Sequence, residues 1–293
     1  MNKALVAKVV LMVCLIAELI LHSDAQAESS VWKVEFEKDV VLLAGTVHIL
    51  RPSDYPLPGE FDRAYAASDK VYFETDIAGF QSPEVQQKMM TKMMYQDGRS
   101  LSSVLSSELF QKLSEASAAR GIDINLINSF RASMAVMMLT VVELQHLGIG
   151  TEGVDSHFRT KAQQDGIPVG QLESIDDHLD FITAMGEGSE EKFVELSLRD
   201  IERTSEMFGI ILTSWRAGNA EALEDLFVSA IKQDYPELYQ QLLVDRNRNW
   251  LPQIVEMLEL PGTELVLVGV GHLTGPEGLL EMLRKRGYKV SYL

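Results

Sequence analysis

Thiol chemistry is nearly absent from this sequence: 293 residues hold a single cysteine, Cys14. That cysteine falls within an N-terminal stretch, residues 1–27, built like a secretory leader. Lys3 and Lys8 precede an apolar run, and Ala25-Gln26-Ala27 is a small-x-small cleavage site. Removal of the leader would leave a periplasmic or secreted chain without disulfides, thiol nucleophiles or thiolate metal ligands, held together by packing alone. A lipid on Cys14 within "LMVC" and a retained anchor are the alternatives.

Positive charge is also scarce. Lys and Arg number 26 against 43 Asp and Glu, for a net charge of −17. Such a surface repels phosphate backbones, which excludes nucleic acid as a partner. Long apolar runs are missing beyond the leader. The best, "ASMAVMMLTVV" (132–142), is bounded by Arg131 and Glu143 and is about half the roughly 20 residues a spanning helix needs, so no integral span is expected after processing. The sequence has no His-Glu-x-x-His and no Gly-x-Ser-x-Gly, so two common hydrolase designs are excluded.

What is present reads as alternating strands and helices. "VWKVEF" (31–36), a turn at Lys38-Asp39, "VVLLAGT" (40–46), "KVYFET" (70–75) and "PVGQLE" (168–173) have strand character, and the chain closes strand–helix–strand. Residues 59–68, 82–164 and 174–260 carry helical patterns. The apolar strands are continuous rather than alternating, as in a sheet covered on both faces. We therefore expect an α/β fold: a mixed, largely buried β-sheet flanked by helices, with a large helical insertion, in one domain over 28–293.

Two segments far apart share one pattern. "LLAGTVHIL" (42–50) and "LVLVGVGHLTG" (265–275) each run from apolar residues into Gly-x-x-His, giving Gly45 to His48 and Gly269 to His272. "KVYFET" likewise ends near a carboxylate, Glu74. Ligands of open α/β sheets gather where strands end. Two imidazoles and a carboxylate there match an open divalent metal site that activates water and polarises a carbonyl. Gly45, Gly269 and Gly271 would allow sharp turning and close approach of a bound group. The bland alternative is a pair of hydrogen-bonded histidines capping strands. A dinucleotide turn at Gly269-Val270-Gly271 is one residue out of register by Gly275, and the chain ends before the acidic residue such a site requires. The last helix is expected to begin at Gly275-Pro276.

Five blocks carry a broader similarity: "LAGTVHIL" (43–50), "VYFETD" (71–76), "GVDSHFRTKAQQDGIPVGQLES" (153–174), "DRNRNWLPQIVEML" (245–258) and "LVGVGHLTGPEGLLEMLRKRGYKV" (267–290). In order and spacing the chain resembles the TraB/GumN proteins, relatives of Tiki-type metal-dependent proteases. The resemblance implies an active site containing His48, Glu74 and His272, and a divalent metal, Mn, Co or Zn, on those three. The substrate class would be a peptide or small amide or ester. Related folds include esterases and a haem-binding lipoprotein, so the other expectation is a binding protein that captures haem or a signalling peptide through the same histidines.

Asp155 and Glu173 fall in matching blocks. Asp155 is either catalytic or a helix N-terminal charge, and Glu173 ends the strand "PVGQLE" toward the rim of Glu74. Arg246 and Asn247 head a helix and would orient a substrate carboxylate or oxyanion, the alternative for Arg246 being a solvated ion pair. His146, His157 and His178 lie in helical patterns and read as surface or core residues.

Overall fold

The computed structural model describes residues 29–150 and 152–293. The expected leader, with Cys14, lies outside the described residues. Six strands form one mixed sheet: β1 (Val31–Phe36), β2 (Asp39–Thr46), β3 (Lys70–Phe73), β4 (Val169–Gln171), β5 (Thr263–Gly269) and β6 (Lys289–Tyr292). Their order is β4-β3-β5-β2-β1-β6. β2, β5, β3 and β4 run parallel, while β1 is antiparallel to both β2 and β6.

Successive residues of a strand face opposite sides of its sheet, and here both sides are buried. Leu42, Ala44, Leu265 and Leu267 pack with Phe61, Phe158 and Trp215. Their neighbours Val41, Leu43, Val266 and Val268 pack with Trp250, Leu251, Ile254, Leu279 and Leu283. Helices Gly59–Ala66, Val154–Asp165 and Thr204–Arg216 thus cover one face, and Arg246–Met257 and Leu279–Lys285 the other. Each large side chain so buried contributes about 1.5–3 kcal/mol relative to exposure. The apolar run 132–142 lies in the helix Ala132–His146 and packs by Ala135 and Leu139 into a separate helical cluster with Leu101, Leu113 and Phe193. Among the described residues no helix is long and apolar enough to cross a membrane.

Three local expectations need correcting. The first hairpin turns at Glu37-Lys38, because Phe36 pairs with Asp39; Glu37 takes the left-handed conformation, with φ 52°. The strands expected over 70–75 and 168–173 are shorter, but Leu172 N–H donates to Phe73 O and Glu173 N–H to Glu74 O. These irregular bonds continue the pairing past the regular ladder and set both carboxylates at one edge. The final helix starts at Leu279, since Gly278 N–H donates to Gly275 O and closes a turn first.

Candidate functional site

Parallel pairing places the ends of β2, β3 and β5 along one edge of the sheet. Thr46 stands opposite Gly269, so the two Gly-x-x-His segments leave the sheet side by side. His48 follows β2 by two residues, Glu74 follows β3 directly, and His272 closes the short 3₁₀ turn Val270–His272 after β5. Gly269 is where they meet. A Cβ there would lie 3.2 Å from Glu74 Oε1, 3.2 Å from His48 Nε2 and 3.7 Å from His272 Cδ2. Close approach is the common property of the three glycines. Gly45 receives the Val270 side chain, and Gly271 receives Phe227. Protein groups fill the space in each case.

His48 is the most exposed of these side chains, at 59%. Its Nδ1 lies 2.7 Å from Oδ2 of Asp155, a residue buried in the first turn of Val154–Asp165. The chain prepares this meeting: Val154 N–H donates to Val47 O, and Gly153 packs so tightly on Val47 and His48 that a Cβ would strike their backbone. The Asp155 charge is the main cause that pushes the His48 pKa up to about 9, with Glu74 adding to it. Nε2 stays free, 3.8 Å from Glu74 Oε1.

Arg246 occupies the centre. Its Nη2 donates to Glu74 Oε2 at 2.6 Å and to Glu173 Oε1 at 2.7 Å, its Nε to Glu173 Oε2 at 3.0 Å, and its Nη1 to His272 Nε2 at 3.1 Å. The guanidinium lies over Trp250 and Phe181, 4.6 and 5.1 Å from the ring centroids. The expected partner of Arg246 was a substrate anion or, in the alternative, a solvated ion-pair carboxylate; the observed partners are two carboxylates of the chain itself, paired in a buried rather than a solvated setting. Burial is the largest single influence and disfavours the Glu74 carboxylate, but Arg246 together with its other neighbours, among them His48 and the Gly269 N–H, outweighs it and holds Glu74 well below the usual carboxylate range. The remaining oxygen, Oε1, accepts from Gly269 N–H at 2.7 Å.

His272 is fixed from both sides. Its Nδ1 faces Asn247 Oδ1 at 2.8 Å, while Asn247 Nδ2 donates to His272 O and Glu277 O. A carboxamide oxygen can only accept and a guanidinium can only donate, so this imidazole is the neutral Nδ1–H tautomer. Burial accordingly pushes its pKa down to about 3. Asn247 thus acts on a protein histidine, and its expected place near a substrate oxyanion is taken by the backbone of the 272–277 turn.

Sequence reasoning passed over His178, Trp250 and Phe181. His178 Nδ1 lies 2.7 Å from Glu173 Oε1, one turn into the helix that Ser174 caps. A glutamate just before a capping serine, with a histidine four residues after it, was the available signal. Ligand atoms of Glu74, Glu173 and His178 lie within 4.8 Å of one another, close enough to hold a metal ion. Arg246 is bonded to both of those carboxylates, so a cation already stands among them. Beside this group opens a cavity of about 550 Å³, lined by His48, Glu74, Arg246 and His272 at one end and otherwise mainly by apolar side chains.

A model of the TraB/PrgY/gumN family matches residues 30–292. The chain belongs to the TraB/PrgY/gumN family. The match spans all six strands and the whole edge just described, so both Gly-x-x-His segments of this TraB/PrgY/gumN protein lie within the family region. No curated protein and no solved structure matches the chain.

Proposed function

We propose that the protein is an exported hydrolase that cleaves an amide or ester bond at the edge formed by His48, Glu74 and His272. One observation carries this reading: His48 is bonded through Nδ1 to buried Asp155 and presents a free Nε2 to the cavity beside Glu74. That is the arrangement of a general base whose tautomer is set by a carboxylate. Water held at Nε2 gives up a proton to His48 as its oxygen bonds to the substrate carbonyl carbon. His48 then returns the proton to the leaving oxygen or nitrogen as that bond breaks, releasing an acid and an alcohol or amine. Asp155 stabilises the transient imidazolium. Arg246 and the Gly269 N–H keep Glu74 ionised and fixed. The leader-like segment 1–27 supports an extracytoplasmic site of action.

A second reading retains a divalent ion, Mn, Co or Zn, and rests on the closeness of Glu74, Glu173 and His178. The donor set as arranged does not fit one. Oε2 of Glu74, both oxygens of Glu173 and Nε2 of His272 are engaged by Arg246, whose charge opposes another cation at that point. The same bond to His272 counts against haem capture by the two histidines, which would need both Nε2 atoms. The test is turnover of ester and amide substrates by the purified protein, its His48→Ala and Glu74→Gln variants, each with and without chelator. Turnover that needs both side chains and survives the chelator supports the first reading; turnover lost with the chelator supports the second; none at all removes both.

A further inference from the structure

The cavity beside His48 identifies a substrate class. Away from the polar end its wall comes from Val136, Leu144, Ile201, Ile211, Phe227 and Leu243, supplied by helices of the insertion and by two π-helical segments, Asp225–Ser229 and Gln240–Asp245. The threonines along this wall are spent internally. Thr140 Oγ1 donates to Val136 O and Thr204 Oγ1 to Asp200 O, each within its own helical stretch. Asp200 is turned to Arg199 at the surface. The buried Thr46 hydroxyl, by contrast, has no partner, and Thr46 lies at the polar end, two residues before His48.

A peptide lying along such a wall would find few partners for its amides, Ser197 and Asp200 being the polar side chains left there, and each amide left unpaired costs a large part of its binding. Nor can a peptide add as a strand from this side, because β2, β5 and β3 are interior strands of the sheet. A hydrocarbon chain makes no such demand. At about 550 Å³, the space is within the range of sites that enclose a small organic ligand.

We propose that the cavity is an acyl-chain subsite, so that the bond hydrolysed is an ester or amide of a long-chain carboxylic acid. The chain lies among Leu144, Ile201, Ile211 and Leu243, and its carbonyl stands at the Thr46–His48 end. Water adds to the carbonyl carbon, the carbon–oxygen or carbon–nitrogen bond breaks, and the free acid and the alcohol or amine leave. This inference rests on the hydrolase reading for its chemistry but not for its binding site.

Two measurements separate the two claims. The first is kcat/KM on p-nitrophenyl acetate, butyrate, octanoate and palmitate, beside an apolar tetrapeptide anilide, with His48→Ala as the blank. Rates should climb about fourfold per added methylene until the cavity is filled, and the anilide should be the poorer substrate. Ile211→Trp should lower the octanoate-to-butyrate ratio about tenfold or more, and Leu243→Phe is the milder second variant if the first fails to fold. A flat series, or a preference for the anilide, overturns the proposal. The second is displacement of a fluorescent fatty acid from the His48→Ala protein, which needs no turnover. Displacement by palmitate but not by the peptide upholds the subsite even if no ester is cleaved and the hydrolase reading fails. Absence of fatty-acid binding overturns the subsite even if short esters are cleaved.

Discussion

His48 and Asp155, 107 positions apart in the chain, stand 2.7 Å apart in the folded protein, with the aspartate buried and the imidazole open to the cavity. Since the Asp155 charge is the leading cause of the high His48 pKa, about 9 against an ordinary 6.5, it sets when His48 is free to accept a proton. kcat/KM should rise with pH along a limb near 9. Asp155→Asn should move that limb down toward 6.5 and lower the plateau, because the imidazolium formed in the reaction loses its counter-charge. The pair's contribution to stability is full below about 6.5 and is lost as pH rises through about 9. A limb that stays in place in Asp155→Asn would remove His48 as the base.

His272 behaves in the opposite sense. Burial holds its pKa near 3 in the folded chain, while the unfolded chain takes up a proton near the ordinary 6.5. Stability is therefore intact above 6.5 and falls as pH drops from there toward 3, with a slope of about 1.4 kcal/mol per pH unit from this one group. Denaturant titrations at several pH values should show that slope in the native protein. His272→Gln should flatten it, even if its stability at neutral pH is lower. An unchanged acid slope in His272→Gln would show that other groups carry the acid lability.

Much of this arrangement was legible beforehand, for reasons that differ by residue. The continuous apolar strands and the repeated Gly-x-x-His gave the sheet and the convergence of His48 with His272, since parallel neighbours must deliver their ends to one edge. Asp155 was legible as a first-turn carboxylate, but its partner was not, because that depends on Gly153 seating against the backbone of Val47 and His48. Arg246 was expected to await an anion from outside or to form a solvated ion pair. Sequence spacing carries no record that Glu74 and Glu173, from two different strand ends, both reach it. His178 was set aside because a helical pattern shows which face a residue takes, not what strand end lies opposite.

The glycines separate activity from folding. In Gly269→Ala the new methyl meets the ends of two side chains, Glu74 and His48, at 3.2 Å. Those ends can move by a few tenths of an ångström, so the protein should fold with a loss of about 1 kcal/mol or less, while turnover should fall by about tenfold or more because positioning at this scale governs rate. In Gly153→Ala the methyl meets backbone, which cannot swing aside. That variant should lose about 1–3 kcal/mol of stability along with activity. Thermal unfolding beside an activity assay reads both; equal stability losses in the two variants would contradict the packing argument.

Arg246 decides between an internal cation and a metal. It is buried and bonded to the carboxylates of Glu74 and Glu173, both nearly as buried. Arg246→Ala leaves those two charges facing each other with only imidazoles beside them, His48 3.8 Å from Glu74 and His178 bonded to Glu173, and removing one partner of such a group typically costs about 3–5 kcal/mol. If the guanidinium stands in a metal's place, the native protein should unfold at the same temperature with and without chelator, since no ion contributes to it. Arg246→Ala should then respond to added Mn, Co or Zn, because Glu74, Glu173 and His178 offer ligand atoms within 4.8 Å and the competing charge is gone. Ligand present at about 100 times its Kd would restore roughly 2.7 kcal/mol, a readily measured rise in Tm. Glu173→Gln placed on top of Arg246→Ala should abolish that rise, which distinguishes a site from loose binding to an acidic surface. Should the native protein instead lose stability on chelation while Arg246→Ala ignores added metal, the arginine would be part of a metal centre rather than its replacement.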